Sequence, residues 1–154
     1  NSFYGKKYFL KIYCFYRVCP LTENGVITAA SQQQHFFLET SNTTVDPRKK
    51  EVNDILEALQ KDVSQGNEII LCGDFNEPLD GKEKTHVRLE QLGLTNILSH
   101  YVGELPRTFV RGKECIDHVY ATHRASQAIT SVGIAPFNFF LPLDHRAIFF
   151  DLNF

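Results

Sequence analysis

The chain has 154 residues and a hydrophobic content of 43%, which is enough for the core of one globular domain and excludes a disordered segment. Its 16 basic and 18 acidic residues give a net charge of -2, so any contact with nucleic acid needs a local basic patch. No apolar stretch approaches the roughly 20 residues of a membrane span, and the start of the chain has no signal-peptide pattern.

The four cysteines, Cys14, Cys19, Cys72 and Cys115, contain no CxxC pair. Three of them lie in apolar runs, where a free thiol packs as a small hydrophobic group. This pattern favours reduced thiols over a disulfide or zinc framework, and it therefore favours an intracellular setting. Because the chain opens at Asn1 and contains no Met, we expect it to be cut out of something longer.

The amino-terminal third contains one strand pattern and one helix pattern. Alternating bulky residues predict a strand from Tyr8 to Phe15 that ends at Tyr16-Arg17. Residues 20–46 are polar, and a run of three glutamines there opens a predicted helix through residues 36–38.

The best-defined helix pattern begins at Asp46-Pro47, a capping side chain followed by proline at the first helical position. Gly66 supplies the stop. Within the segment, apolar residues recur at helical spacing, namely Val52, Ile55, Leu56, Leu59 and Val63. The basic run Arg48-Lys49-Lys50 is interpreted as the polar face of this helix.

The rest of the chain predicts more strands than helices. A strand at 68–72 is followed by a helix at 82–92 that ends at Gly93. Further strands are predicted at Thr108–Val110, Cys115–Ala121, 128–134 and 147–152, and the loop Arg111–Glu114 joins the first two as a hairpin. The alternation indicates one α/β unit, a sheet covered by helices.

A first group of polar residues follows the apolar run at 69–72. Asp74 and Asn76 come directly after Gly73 and lie two positions apart, so both side chains project to the same side at the carboxyl end of a buried strand. An ionised Asp can hold or deprotonate a water, and an Asn amide can donate a hydrogen bond to a phosphate oxygen. The pair suits hydrolysis of a phosphate ester, and the same residues also fit an ordinary turn.

A second group contains Asp117 and the later Asp144-His145. Asp117 interrupts an apolar strand, and a buried carboxylate is costly unless something pairs with it. If it meets His145, it fixes the tautomer of the imidazole and stabilises the imidazolium. Asp144-His145 taken alone is more typical of a polar loop. His118 points away from Asp117, which indicates packing or surface.

Three motifs in series carry a family resemblance: Gly73-Asp74-Phe75-Asn76, Ile116-Asp117-His118-Val119 and Asp144-His145-Arg146. In this order and spacing they resemble the later motifs of the endonuclease/exonuclease/phosphatase superfamily. That superfamily includes DNase I, apurinic endonucleases, endonuclease domains of non-LTR retrotransposons, and phosphodiesterases for inositol phosphates and sphingomyelin. Each motif alone is weakly specific, but together they extend over nearly the whole chain.

The resemblance implies a four-layered α/β sandwich that hydrolyses phosphodiesters with Mg²⁺ or Mn²⁺. It implies that Asp74 orients or deprotonates the attacking water and that Asn76 holds the phosphate. His145 would stabilise the phosphate in the transition state with Asp117 as its partner, and Asp144 would lie near the metal. The chemistry agrees, since charge that develops on phosphoryl oxygens is best met by a metal and positioned donors.

Two further assignments depend on the same resemblance. Tyr16 is similar to the active-site Tyr of the family, although Pro20 follows it four positions on, where relatives often have Pro at two. Arg111 is a candidate phosphate ligand. It belongs to a set of cations that could contact a nucleic-acid backbone or equally form a solvated surface: Arg107, Arg111, Lys113, Arg124 and Arg146.

Family members extend over about twice this architecture, and their first half brings an early Asn and a metal-binding Glu. No segment before Tyr8 could hold these residues. The resemblance therefore implies a carboxyl-terminal half with mostly antiparallel strands and two or three helices. Residues 1–154 would form one partial domain, with the missing amino-terminal half as its partner. A half sandwich would expose an apolar sheet face, and we expect the isolated chain to be inactive.

Three hypotheses follow for function. The first is an endonuclease-like enzyme acting on DNA, of retroelement type, and a genomic target would imply a nuclear location. The second is a lipid or inositol-phosphate phosphodiesterase, because the shared motifs recognise only the phosphate. The third is a non-catalytic remnant of a retroelement endonuclease domain.

Overall fold

The computed structural model describes residues 9–20, 28–41, 44–139 and 142–153. The elements in chain order are β1 (Leu10–Tyr16), α1 (Ala29–Ser41), α2 (Pro47–Ser64), β2 (Glu68–Asp74), α3 (Thr85–Gln91), β3 (Leu94–Asn96), α4 (Ile97–Tyr101), β4 (Asp117–Thr122), α5 (His123–Ala128), β5 (Ile129–Ile134) and β6 (Ile148–Leu152). The predicted mixed α/β class is confirmed.

Two sheets organise the molecule. Four strands form one sheet in the order β1-β2-β4-β3, and β5 pairs with β6 in a second sheet. The pair β1/β2 is parallel and the other three pairs are antiparallel, as predicted for a mostly antiparallel architecture. In this register Asp74 lies beside Tyr16 on one neighbour strand and opposite Asp117 on the other.

The four-stranded sheet separates two apolar clusters. On one face, Leu59 of α2 and Leu89 of α3 pack against Leu71 and Tyr120. On the other face, α4, α5 and the second sheet pack against the central strands β2 and β4. The same face of β1 is left uncovered, since Ile12 is 56% exposed. Helices, sheet and second sheet thus form successive layers.

Helix α2 confirms the prediction made from its capping signals. The Asp46 carboxylate accepts the backbone N–H of Arg48 at 3.0 Å and of Lys49 at 3.4 Å, and Pro47 is the first helical residue. These contacts satisfy donors that a helix leaves open at its start. Gly66 follows the end of the helix with φ 79°.

Other boundaries differ in detail from the predicted ones. Helix α3 starts at Thr85, three residues later than expected, because Lys84 adopts φ 59° and this left-handed conformation cannot continue a helix backwards. Helix α1 is longer than predicted at both ends. The predicted first strand is confirmed from Leu10 onward, and Tyr8 lies outside the described residues.

The predicted hairpin of 108–110 with 115–121 is wrong. Strand β4 begins only at Asp117, and 108–110 contributes a single isolated bridge, between Phe109 and His145. The extended segment pairs with the later loop, since Val110 N–H donates to Asp144 O at 2.8 Å. Because 108–110 pairs with this loop and not with 115–121, the segment is connected to the loop that carries His145.

The described residues contain five helices, where two or three were expected. The additional ones are the short helices α4 and α5. Helix α4 follows directly from β3, and the Asn96 side chain caps it by accepting the Ser99 N–H at 2.9 Å. Helices of five or six residues are too short to display a periodic apolar pattern.

The sequence predicted no membrane span and reduced cysteines, and the structure bears on both predictions. None of the helices in the described ranges combines the length and apolar character of a membrane span. All four cysteines are free thiols. Cys115 is buried, and burial, followed by the Asp117 charge, raises the pKa of its thiol to about 11.

Candidate active site

Two carboxylates face each other where the carboxyl end of β2 meets the amino end of β4. Asp74 and Asp117 are directly opposite in the antiparallel ladder, and their side chains are 14% and 11% exposed. Like charges opposed across two strands repel each other. The pair therefore favours a positive group in its immediate surroundings.

His145 supplies such a group. Its Nδ1 lies 2.9 Å from Asp117 Oδ2, and its Nε2 lies 3.9 Å from Asp74 Oδ2. Although partial burial alone lowers the pKa of His145, the hydrogen bond to Asp117 and the charges of Asp117, Asp74 and Asp144 raise it above its ordinary value. The surroundings of His145 thus favour the charged form of its imidazole.

The segment at 108–110 fixes the position of this imidazole. Thr108 O accepts the Arg146 N–H at 2.8 Å, and Thr108 Oγ1 accepts the Asp117 N–H at 3.1 Å. The Phe109 ring lies 5.0 Å from the His145 ring, centroid to centroid. A single short segment therefore connects the histidine loop to the aspartate strand.

Asn76 holds the carboxylate of Asp74 from the other side. The Asn76 backbone N–H donates to Asp74 Oδ1 at 2.8 Å, and its Nδ2 donates to Asp74 Oδ2 at 3.0 Å and to Arg17 O at 2.7 Å. Burial, opposed by the Asn76 N–H and reinforced by the Asp117 charge, raises the pKa of Asp74. Both amide hydrogens of Asn76 have protein acceptors, so donation to a phosphate requires one of these bonds to be exchanged.

The side chains that converge here fit a divalent metal. Asp74, Asp117 and His145 each offer a ligand atom, and these atoms lie within 4.8 Å of one another. Carboxylate oxygens are the ligands that Mg²⁺ prefers. Asp144, the residue that the resemblance places near the metal, is exposed and lies outside this group, and its metal role stays a prediction.

In the comparison with known proteins, the matches are to solved structures. No protein-family model matches the sequence, and no curated protein matches it. A 3′ phosphatase, NExo from Neisseria, solved with a product DNA hairpin, matches with a TM-score of 0.58 and 18% identity, covering 70% of this chain and 53% of that chain. A 3′–5′ exonuclease, NExo from Neisseria meningitidis, matches with a TM-score of 0.59 and 19% identity, covering 70% and 54%.

The chain shares the fold of these two Neisseria structures, which agrees with the resemblance of its three motifs to the endonuclease/exonuclease/phosphatase superfamily. An endonuclease/exonuclease/phosphatase family protein from Leptotrichia buccalis also matches at 18% identity, covering 62% of this chain and 41% of that chain, with a TM-score of 0.45. This chain spans about half the length of the two Neisseria structures.

Two further residues were assigned by likeness to this superfamily, Tyr16 and Arg111, and Tyr16 lies at the edge of the site. Tyr16 is beside Asp74 in the sheet and 58% exposed, and burial, followed by the charges of Cys19, Asp74 and Glu51, raises the pKa of Tyr16. Arg111 is exposed in the turn after Val110. The catalytic role of Tyr16 and the phosphate role of Arg111 stay predictions.

His118 of the superfamily-like motif is a core residue, as the alternation predicts. It is fully buried on the opposite face from Asp117, and its Nε2 lies 3.2 Å from Glu77 O. Burial, followed by the charge of His86, lowers the pKa of His118 to about 4. The ring is therefore neutral and serves packing.

Two buried arginines near the site were missed in the sequence. Arg48, interpreted as part of a polar helix face, is only 6% exposed, and Arg17 is 1% exposed. The interpretation is wrong for Arg48 because helical side chains lean toward the helix start, and Arg48 in the first turn reaches the loop after β2. The position of Arg48 in the first turn of α2 is the sequence signal that could have indicated its burial.

Proposed function

We propose that this chain carries the hydrolytic site of a divalent-metal-dependent phosphodiesterase that acts on DNA in the manner of an endonuclease. The observation that supports the proposal is the convergence of Asp74, Asn76, Asp117 and His145 at one sheet edge, from three separate parts of the chain. A turn and a polar loop with no shared role would not require this meeting.

The groups divide the chemistry between them. Asp74, partly buried and with a raised pKa, is placed to orient or deprotonate the attacking water. His145 in its charged form can donate from Nε2 to a phosphoryl oxygen, and Asp117 holds the ring in the required tautomer. A bound Mg²⁺ would neutralise charge on the phosphate, with Asp144 as the ligand that the superfamily resemblance indicates. Asn76 would exchange one hydrogen bond to contact the phosphate.

DNA is the substrate best supported. The Neisseria structure of the same fold was solved with a product DNA hairpin. The exposed cations Arg107, Arg111 and Lys113 flank, in the chain, the segment that contacts His145, and they could meet a phosphate backbone despite the negative total charge. Because the matched structures are about twice as long, we expect little cleavage by the 154-residue chain alone and full activity in a longer protein that completes the sandwich.

The substrate class can be tested with two substrates in parallel. We expect the longer protein to nick supercoiled plasmid in Mg²⁺ or Mn²⁺, to lose this activity in EDTA, and to release no headgroup from sphingomyelin or phosphate from inositol phosphates. Release from either of the latter without nicking would overturn DNA as the substrate. A lack of hydrolysis of all three substrates would contradict the proposed function and favour a non-catalytic remnant.

A further inference from the structure

A buried ion cluster, formed by Arg17, Arg48, Glu77 and Glu83, lies under the loop that follows β2. Arg17 Nη1 donates to Glu77 Oε2 at 2.7 Å, and Arg17 Nη2 contacts Glu83. Arg48 Nε donates to Glu83 Oε1 at 3.1 Å. Two positive and two negative groups are thus connected through the side chain of Glu83, which is 41% exposed.

Stability alone does not account for this cluster. Removing charged groups from water costs several kcal/mol per ion, and apolar residues of similar volume often stabilise a protein as well as a buried ion pair does. Arg17 also has a buried Nε without a hydrogen-bond partner among the described residues. A role in holding a particular geometry is the better explanation.

The geometry that the cluster holds is that of Asn76. Arg48 Nη2 donates to Asn76 O at 3.3 Å, and Arg48 Nη1 donates to Val18 O. Asn76 has φ 45°, a left-handed conformation that Asn adopts more readily than most residues with a side chain. The guanidinium of Arg48 therefore spans the two chain segments between which the Asn76 amide lies.

We propose that Arg48 is a positioning residue for the active site, which acts on Asp74 through Asn76. This inference rests on the proposed hydrolytic function. Asn76 clamps both carboxylate oxygens of Asp74, so a shift of its backbone also turns the carboxylate. Among the described residues, Arg48 makes no hydrogen bond to the carboxylates or the imidazole of the site. Its contacts reach Asp74 through Asn76, and its charge additionally opposes the rise of the Asp74 pKa.

A double-mutant cycle in the longer, DNA-cleaving protein tests this dependence. Arg48→Met should lower kcat by about 10- to 100-fold, the range expected for misplaced catalytic groups, with KM unchanged. Arg48→Lys should recover part of the loss. In an Asn76→Ala background, Arg48→Met should lower kcat by clearly less than in the wild type, because the positioning contact is gone and only the effect of the Arg48 charge on Asp74 is left. The proposal would be overturned if the fold-losses in kcat of Arg48→Met and Asn76→Ala multiply in the double variant, or if Arg48→Met alone leaves kcat unchanged.

Hydrogen exchange provides a readout that does not require cleavage. In nuclear magnetic resonance spectra of the 154-residue chain, the Asn76 side-chain amide should exchange faster in Arg48→Met by about tenfold, the effect of weakening roughly one hydrogen bond. The matched control is Arg88→Met, since Arg88 is exposed and its side-chain hydrogen bond goes to Asn53, away from the site. Equal acceleration at Asn76 and at the core amide of Leu71 would indicate general loosening and overturn a positioning role.

The two measurements separate the proposals from each other. A longer protein that cleaves no phosphodiester while Asn76 exchange responds to Arg48→Met would contradict the proposed function and leave the positioning contact intact. Phosphodiester cleavage that is insensitive to Arg48→Met would support the proposed function and contradict the positioning role of Arg48.

Discussion

Replacing His145 with alanine is expected to lower Mg²⁺-dependent DNA cleavage by the longer protein by about 10²- to 10⁴-fold. The His145 imidazole lies between Asp74 and Asp117, and its loss removes a donor to the phosphate and leaves two carboxylates facing each other. Initial rates of plasmid nicking measure the effect. Asp74→Ala should cause a loss of similar size.

The controls use the same residue types at exposed positions away from the site. His35→Ala on α1 and Asp54→Ala on α2 should leave the nicking rate within about twofold of the wild type, as exposed substitutions far from a functional site usually do. A longer protein that nicks DNA at the wild-type rate with either His145→Ala or Asp74→Ala would remove these residues from the catalytic centre.

The second large effect is expected at Gly73. Its φ is 149°, and a Cβ added there would lie 1.8 Å from Phe15 O on the neighbouring strand. Gly73→Ala therefore combines an unfavourable backbone conformation with a backbone clash, and we expect it to lower the free energy of unfolding by about 3 kcal/mol or more. Urea denaturation followed by circular dichroism measures this change.

Gly103→Ala is the matched control for that substitution. A Cβ at Gly103 meets no atom within 4 Å, and its φ is outside the left-handed region. This variant should unfold within about 0.5 kcal/mol of the wild type. If Gly73→Ala is as stable as Gly103→Ala, β1 and β2 do not approach each other as closely as described.

The sequence predicted the elements whose signals are local. Helix α2 was found from Asp46 and Pro47, because the cap and the proline act within one turn. Strand β2 was found from its apolar run, which is buried on both faces of the sheet. Short elements and the partner of 108–110 were missed, because pairing is decided by which segment the rest of the fold brings near.

The sequence predicted the candidate catalytic residues, but it did not predict the contacts that position them. Asp117 was predicted as a site residue because it is a charge in an apolar strand. Its contact with His145 is confirmed by the 2.9 Å distance between Asp117 Oδ2 and His145 Nδ1. The clamp of Asn76 on Asp74 and the contact from Arg48 depend on a left-handed turn and a side chain that crosses between elements. Residue spacing carries no information about either.

The titration of His145 tests the convergence of the site most directly. In histidine-labelled protein, chemical shifts of the His145 ring followed against pH should give a pKa above 6.5, and Asp117→Asn should lower that pKa, since the charge that stabilises the imidazolium is removed. Asp54→Asn on α2 should leave it unchanged. A His145 pKa that is the same in the wild type and in Asp117→Asn would contradict the account.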